Sequence, residues 1–190
     1  MSADAREKDA GDLLKFVKRL HDASVSLAAK LKFNKSFSKD GGVVCLYGSL
    51  IEHASSFITL VEHRQKTGSS SIFRSFLEAY VDFVNLEKDA SYIKHCYATF
   101  YEQWLKVLRV SAGNQYLKDI AELDGRDAIV QNYKSELQKL EKENFRPLRV
   151  DERFRKAGLE AEYNSIYRLE SGEAHNSLSA LFQRHLSGRS

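Results

Sequence analysis

From Val43 to Val61, the residues Val43, Leu46, Tyr47, Leu50, Ile51, Ala54, Phe57, Ile58 and Val61 recur at steps of three and four. That spacing gathers them on one face of a helix with 3.6 residues per turn. A strand alternates its side chains and cannot collect them. The same period returns along the chain. Leu13, Leu14, Phe16, Val17, Leu20, Leu27 and Leu31 mark a first helix over about 9–32. Ile72, Phe73, Phe76, Leu77, Tyr80, Val81 and Val84 mark a third, and Ile93, Cys96, Tyr97, Phe100, Tyr101, Trp104, Leu105 and Leu108 a fourth. A fifth starts near Asn114 and runs past a break or kink at Asp124-Gly-Arg126. A last stretch covers about 159–186, with a possible interruption at Ser171-Gly172.

Helix breakers are scarce. The 190 residues hold one proline, Pro147, and ten glycines, so long helices meet little opposition. Polar turns are expected at Asn34–Gly42 and at Thr67–Ser71, whose serines offer helix N-caps. The fold class these patterns predict is all-α: an antiparallel bundle of five to seven helices in a single domain, residues 1–190. Residues 1–8 and 187–190 are expected to be flexible ends.

A net charge of +3 is too small to mark a nucleic-acid binder by bulk electrostatics, so any such function must rest on local patches. The two cysteines, Cys45 and Cys96, fall among apolar residues and read as reduced core thiols. The N-terminal segment MSADAREKDAGD is polar and mixed in charge, unlike a signal peptide. The near-apolar run Val43–Ile51 is too short to span a bilayer. Together these predict a cytoplasmic chain with no membrane association.

Helical bundles often house metals, but the expected ligand spacings are missing. No histidine follows a glutamate by three residues, and neither His-x-x-x-His nor Cys-x-x-Cys occurs. Glu52-His53 and Glu62-His63 are adjacent pairs whose side chains diverge. No glycine-rich phosphate loop is present either. The expectation is no metal and no cofactor.

Three polar groupings remain. Arg74 and Glu78 lie four apart on the third helix, within reach of each other. They can be an ion pair at the helix edge that orients packing, or a charged pair supporting a site. Beside and after Pro147 lie Arg146, Arg149, Arg153 and Lys156, with Arg155 nearby. Such a stripe can bind RNA phosphates, or it can be a solvated face balanced by Glu143, Asp151 and Glu152.

The third grouping runs from Tyr163 to Asn176 and contains Tyr167, Arg168, Ser171 and His175. Arg168 and His175 are seven apart. On a continuous helix seven residues turn about 700°, which places the two nearly in line and about 10 Å apart. A histidine that exchanges a proton with a ribose 2′-hydroxyl, beside an arginine that steadies the phosphoryl oxygens, can cleave RNA without metal. The alternative is a buried histidine held by hydrogen bonds.

The spacing Arg-x(6)-His near the start of a last helix resembles the signature of the HEPN superfamily of helical proteins. The order Arg74-x-x-x-Glu78-Ala79, then Tyr167-x-x-x-Ser171-x-x-x-His175, is similar to a bacterial helical family related to it. The resemblance implies a homodimer with a composite site that acts as a metal-independent endoribonuclease. It implies a setting of bacterial defence or toxin–antitoxin function, with an antitoxin or defence component as a possible partner protein. By position Arg168 and His175 take the catalytic roles, with Arg74, Glu78, Tyr167, Ser171 and Asn176 in support and Arg149, Arg153 and Lys156 on RNA. Two other readings stay open: a non-catalytic protein-interaction module, and a helical module that binds a small ligand near Arg74, Glu78 and His175.

Overall fold

A computed structural model describes residues 3–34, 38–174 and 177–186. Among these residues the secondary structure is all-helical and contains no strand. The chain is of the all-α, helical-bundle class.

Two compact units make up the chain. One joins Met1–Glu87 to Arg153–Ser190, and the other is Lys88–Glu152. The apolar period continues unbroken in type from one unit to the next, so it carries no boundary signal.

In the first unit, α1 (Ala3–Ala28) packs on α2 (Ser38–Glu62), and α3 (Lys66–Lys88) follows. Helix α1 begins at Ala3, so residues 3–8 are helical where a flexible end was expected; residues 187–190 lie outside the described residues. Helix α2 starts at Ser38, five residues before the apolar stripe, with Asp40 in its first turn, where the helix dipole favours an acid. The break between α2 and α3 falls at His63–Gln65, where Arg64 takes a positive φ of 56°. Ser69, Ser70 and Ser71 therefore lie inside α3 rather than capping it. Gly68 lets α3 close on α2: a Cβ there would sit 3.2 Å from Leu60. By length and composition α2 is apolar enough to cross a membrane, with a mean hydropathy of 1.4 over its best window.

The return of the chain completes this unit. Helix α7 (Val150–Ala157) ends at Gly158 with φ +77°, and the short α8 (Glu160–Glu162) leads into a π-helical turn, Tyr163–Tyr167. Helix α9 (Arg168–Ala174) and helix α10 (Leu178–His185) follow. The expected helical stretch over about 159–186 is thus divided among these elements. The expected interruption at Ser171-Gly172 is not there, since both lie within α9; the departure from helix among the described residues is Ser177, whose ψ is 149° and which caps α10 by accepting from the Ala180 N–H. Val81, Leu86, Phe154, Ala157, Tyr167 and Ala180 are buried here.

The second unit is built on α4 (Tyr92–Ser111) and α6 (Arg126–Lys142), which pack together. Tyr133 of α6 meets Phe100 and Tyr101 of α4 at ring separations of 5.7 and 5.2 Å. The expected fifth helix divides into a 3-10 turn (Gln115–Leu117), α5 (Lys118–Ala121) and α6, because Gly125 adopts φ +72°. Asn144, also at positive φ, ends α6.

Candidate functional site

The site grows from a polar stripe on an otherwise apolar helix. Arg74, Glu78, Asp82 and Asn85 stand at steps of four, four and three on α3, and so share one face. Two arginines and two carboxylates converge there. Arg153 of α7 donates one terminal nitrogen to Glu78 Oε2 at 2.7 Å and the other to Asp82 Oδ2 at 2.8 Å. Asn85 holds the backbone of the same residue by donating to its carbonyl at 2.9 Å. Arg74 Nε lies 3.3 Å from Glu78 Oε1, as the four-residue spacing predicts.

Tyr167 closes the cluster. Its hydroxyl accepts from Arg74 Nε at 2.9 Å and donates to Glu78 Oε1 at 2.8 Å. Its ring stacks against Phe154 (5.0 Å) and Tyr163 (5.4 Å) and lies 5.3 Å from the Arg74 guanidinium carbon, a cation–π contact. The residue is 4% exposed. Burial pushes the Glu78 carboxyl up, but the hydrogen bonds from Tyr167 and Arg153 and the two guanidinium charges outweigh it, and its pKa ends below the ordinary carboxylate value. Burial together with the Glu78 hydrogen bond raises the Tyr167 phenol. Burial alone would lower Arg74; Tyr167 and Glu78 turn that into a net rise. The two positive and two negative charges balance, so the cluster is an internal brace.

The brace fixes an unusual piece of backbone. In the π turn the Arg168 N–H reaches back five residues to the Tyr163 carbonyl. Such a turn is poorer in energy than the α-helix around it and persists where side chains hold it. Tyr167 is the side chain that does so. One residue later, Arg168 is exposed, and no ion pair joins it to another described residue.

Ser171 is half-buried on α9. His175 and Asn176 lie outside the described residues. Arg168 opens α9, which is described as far as Ala174, so the expected separation of about 10 Å between Arg168 and His175 falls outside the described residues.

The basic stripe resolves into separate pairings. Arg153 is spent on Glu78 and Asp82. Arg149 is paired with Asp151 through two bonds, at 3.0 and 2.7 Å. Arg146, from the same stretch, grips Glu152 at 3.1 and 2.6 Å. Glu152 also accepts from the Arg149 N–H, capping α7, and these bonds hold its carboxyl at about 2. Lys156 is exposed on α7. Of the three residues assigned to RNA, the two arginines thus already have carboxylate partners. Among the described residues no group of three His, Cys, Asp or Glu side chains is placed to hold a metal ion.

The four-residue spacing pairs Arg74 with Glu78 in the sequence, whereas Asp82 and Asn85 were not among the expected site residues. The signal was available, since both extend the Arg74–Glu78 stripe by one further turn each.

Residues 40–190 match DUF5677, a family of unknown function. The chain belongs to that family. No curated protein and no solved structure matches it. The DUF5677 segment takes in the whole brace, the π turn and Arg168, and leaves α1 outside it.

Proposed function

We propose that this DUF5677 member is a HEPN-like, cytoplasmic protein that acts on RNA as a metal-independent endoribonuclease in bacterial defence or toxin–antitoxin function. The observation that carries the reading is Arg168: an exposed guanidinium at the exit of a π turn, with its backbone anchored by Tyr167 to four mutually neutralised charges. The brace keeps two arginines and two carboxylates away from a ligand and leaves Arg168 to meet a phosphate. A guanidinium fork can take two phosphoryl oxygens at once, and His175 supplies a group that titrates near neutral pH for proton transfer with the 2′-hydroxyl. In a homodimer two such sets form the composite site, and the partner protein would be an antitoxin or defence component.

The test is cleavage of single-stranded RNA in excess chelator. The wild type should cut. Arg168→Lys should lose most of the rate, because a point charge does not replace the fork, and His175→Ala should lose it all with the helical spectrum unchanged. If purified wild type leaves RNA intact, and His175→Ala lowers only the melting temperature, the nuclease reading fails.

A second reading, a non-catalytic binding module for a small ligand or a partner protein, is favoured by one feature. An apolar cavity of about 390 Å³ opens between α1, α2 and α3, lined by Val17, Leu20, Leu50, Phe57, Phe73 and Phe76, with His21, Ser24 and Tyr47 at its polar points. That volume lies within the range of small-ligand pockets. Saturable binding of an apolar probe, lost in Phe73→Trp, with no RNA cleavage would decide for it.

A further inference from the structure

The cavity between α1, α2 and α3 has two unlike ends. Helices α1 and α2 run antiparallel along it: Tyr47 of α2 donates to the Ser24 carbonyl at 3.2 Å, and Lys18 pairs with Glu62 at 2.6 Å. Tyr47, Ser24 and His21 therefore stand together at one end. At the other, the rings of Phe57 and Phe73 lie 5.3 Å apart, and Phe76 stacks on Phe73 at 6.3 Å. From Tyr47 to Phe57 helix α2 rises about 15 Å, so the space between the ends is long. Val17, Leu50, Phe57, Phe73 and Phe76 are only half-buried although three helices surround them. Part of each side chain faces space instead of protein atoms and lacks the contacts that a packed core supplies.

The polar end is rich in acceptors. The Tyr47 hydroxyl gives its proton to the Ser24 carbonyl and keeps its oxygen lone pairs. His21 is half-buried, with Nδ1 3.3 Å from Asp22 Oδ1. A carboxylate only accepts, so the proton of the neutral ring sits on Nδ1 and leaves Nε2 an acceptor. Among the described residues the Ser24 hydroxyl has no hydrogen-bond partner. No Lys or Arg lines the cavity among these residues, so an anionic head would meet acceptors with no cation to offset its charge. We propose that the cavity binds an elongated, uncharged apolar molecule with one hydrogen-bond donor at its end, of which an aliphatic alcohol is the simplest. Its tail lies between Val17, Phe57 and Phe73, and its hydroxyl donates to the acceptors at Tyr47 and His21. The proposal rests on the ligand-binding reading of the same cavity and not on RNA cleavage.

The full chain should bind the neutral fluorophore N-phenyl-1-naphthylamine saturably at about pH 8, where a histidine ring is ordinarily neutral. Phe73→Trp, which fills the aromatic end, should abolish that binding. 1-Decanol should displace the fluorophore at about 10-fold lower concentration than its methyl ether, which lacks the donor. It should do so at a concentration on the order of 100-fold lower than decanoate, whose charge meets the acceptors. Tyr47→Phe with His21→Leu should bring alcohol and ether together while the fluorophore still binds. Equal displacement by alcohol and ether, or displacement best by decanoate, overturns the donor-headed ligand and leaves the cavity a ligand site. No saturable binding, or binding indifferent to Phe73→Trp, overturns both. So does release of the fluorophore as the protein is concentrated, which would give the cavity to a second copy. Should the double variant not fold, the three ligands on the wild type still decide.

Discussion

Replacing Tyr167 with phenylalanine removes one oxygen from the centre of the brace and little else. The ring keeps its contacts with Phe154 and Tyr163, so no cavity opens. Two hydrogen bonds disappear, one from Arg74 and one to Glu78, both charge-assisted. Bonds of that kind contribute about 1.5–3 kcal/mol each. Neither charged partner is stranded, since Arg74 stays 3.3 Å from Glu78 and Glu78 keeps Arg153 at 2.7 Å. Both acidic and basic side chains are also about a quarter exposed, so water replaces part of what is lost. The net cost should be about 2 kcal/mol. For a chain of this length each kcal/mol moves the melting temperature by about 2–4 °C, giving a fall of about 4–8 °C. Tyr167→Ala, which also empties the ring's site, should cost about 3–5 kcal/mol. Differential scanning calorimetry of wild type and both variants measures this. A Tyr167→Phe shift below about 1 °C would refute the argument that the hydroxyl holds the π turn. A shift equal to that of Tyr167→Ala would refute the separation of bonding from packing.

Three further outcomes follow from the same geometry. Glu78→Gln should destabilise more than Glu78→Gln combined with Arg74→Met, because the single change takes the carboxylate from beside the Arg74 charge while Arg153 keeps Asp82; a coupling energy near zero in a double-mutant cycle would show the pair to be idle. Glu78 and Glu152 both have folded pKa values below their unfolded ones, so their contribution is complete above the ordinary carboxylate range and is lost as pH falls through it, for Glu152 toward about 2. Acid titration of stability should therefore steepen below about pH 4.5, and Arg146→Met should flatten the lower part of that slope; an unchanged slope contradicts the assignment to Glu152.

The period of apolar residues was enough to read the helices of both units, because burial of one helix face is a local property of spacing. It could not say which apolar residues find partners. Leu13 and Phe16 sit in the same pattern as Val17, yet they are exposed while Val17 is half-buried. Nor did it mark the π turn, which depends on Tyr167 reaching Arg74 and Glu78 some 90 residues away. Arg153 shows the same limit. Its helical spacing with Arg149 and Lys156 suggested a shared basic face, whereas its side chain turns onto the acids of α3. Asp82 and Asn85, by contrast, were readable from spacing alone, as the next turns of the Arg74–Glu78 stripe.

We propose RNA cleavage through the 2′-hydroxyl at a site centred on Arg168. The direct measurement compares two oligonucleotides of one sequence in excess chelator, one RNA and one with every 2′-hydroxyl methylated. The RNA should be cut to products ending in a 2′,3′-cyclic phosphate, the methylated strand should survive, and Arg168→Lys should remove the difference. Cleavage of both strands, or of neither, would contradict it.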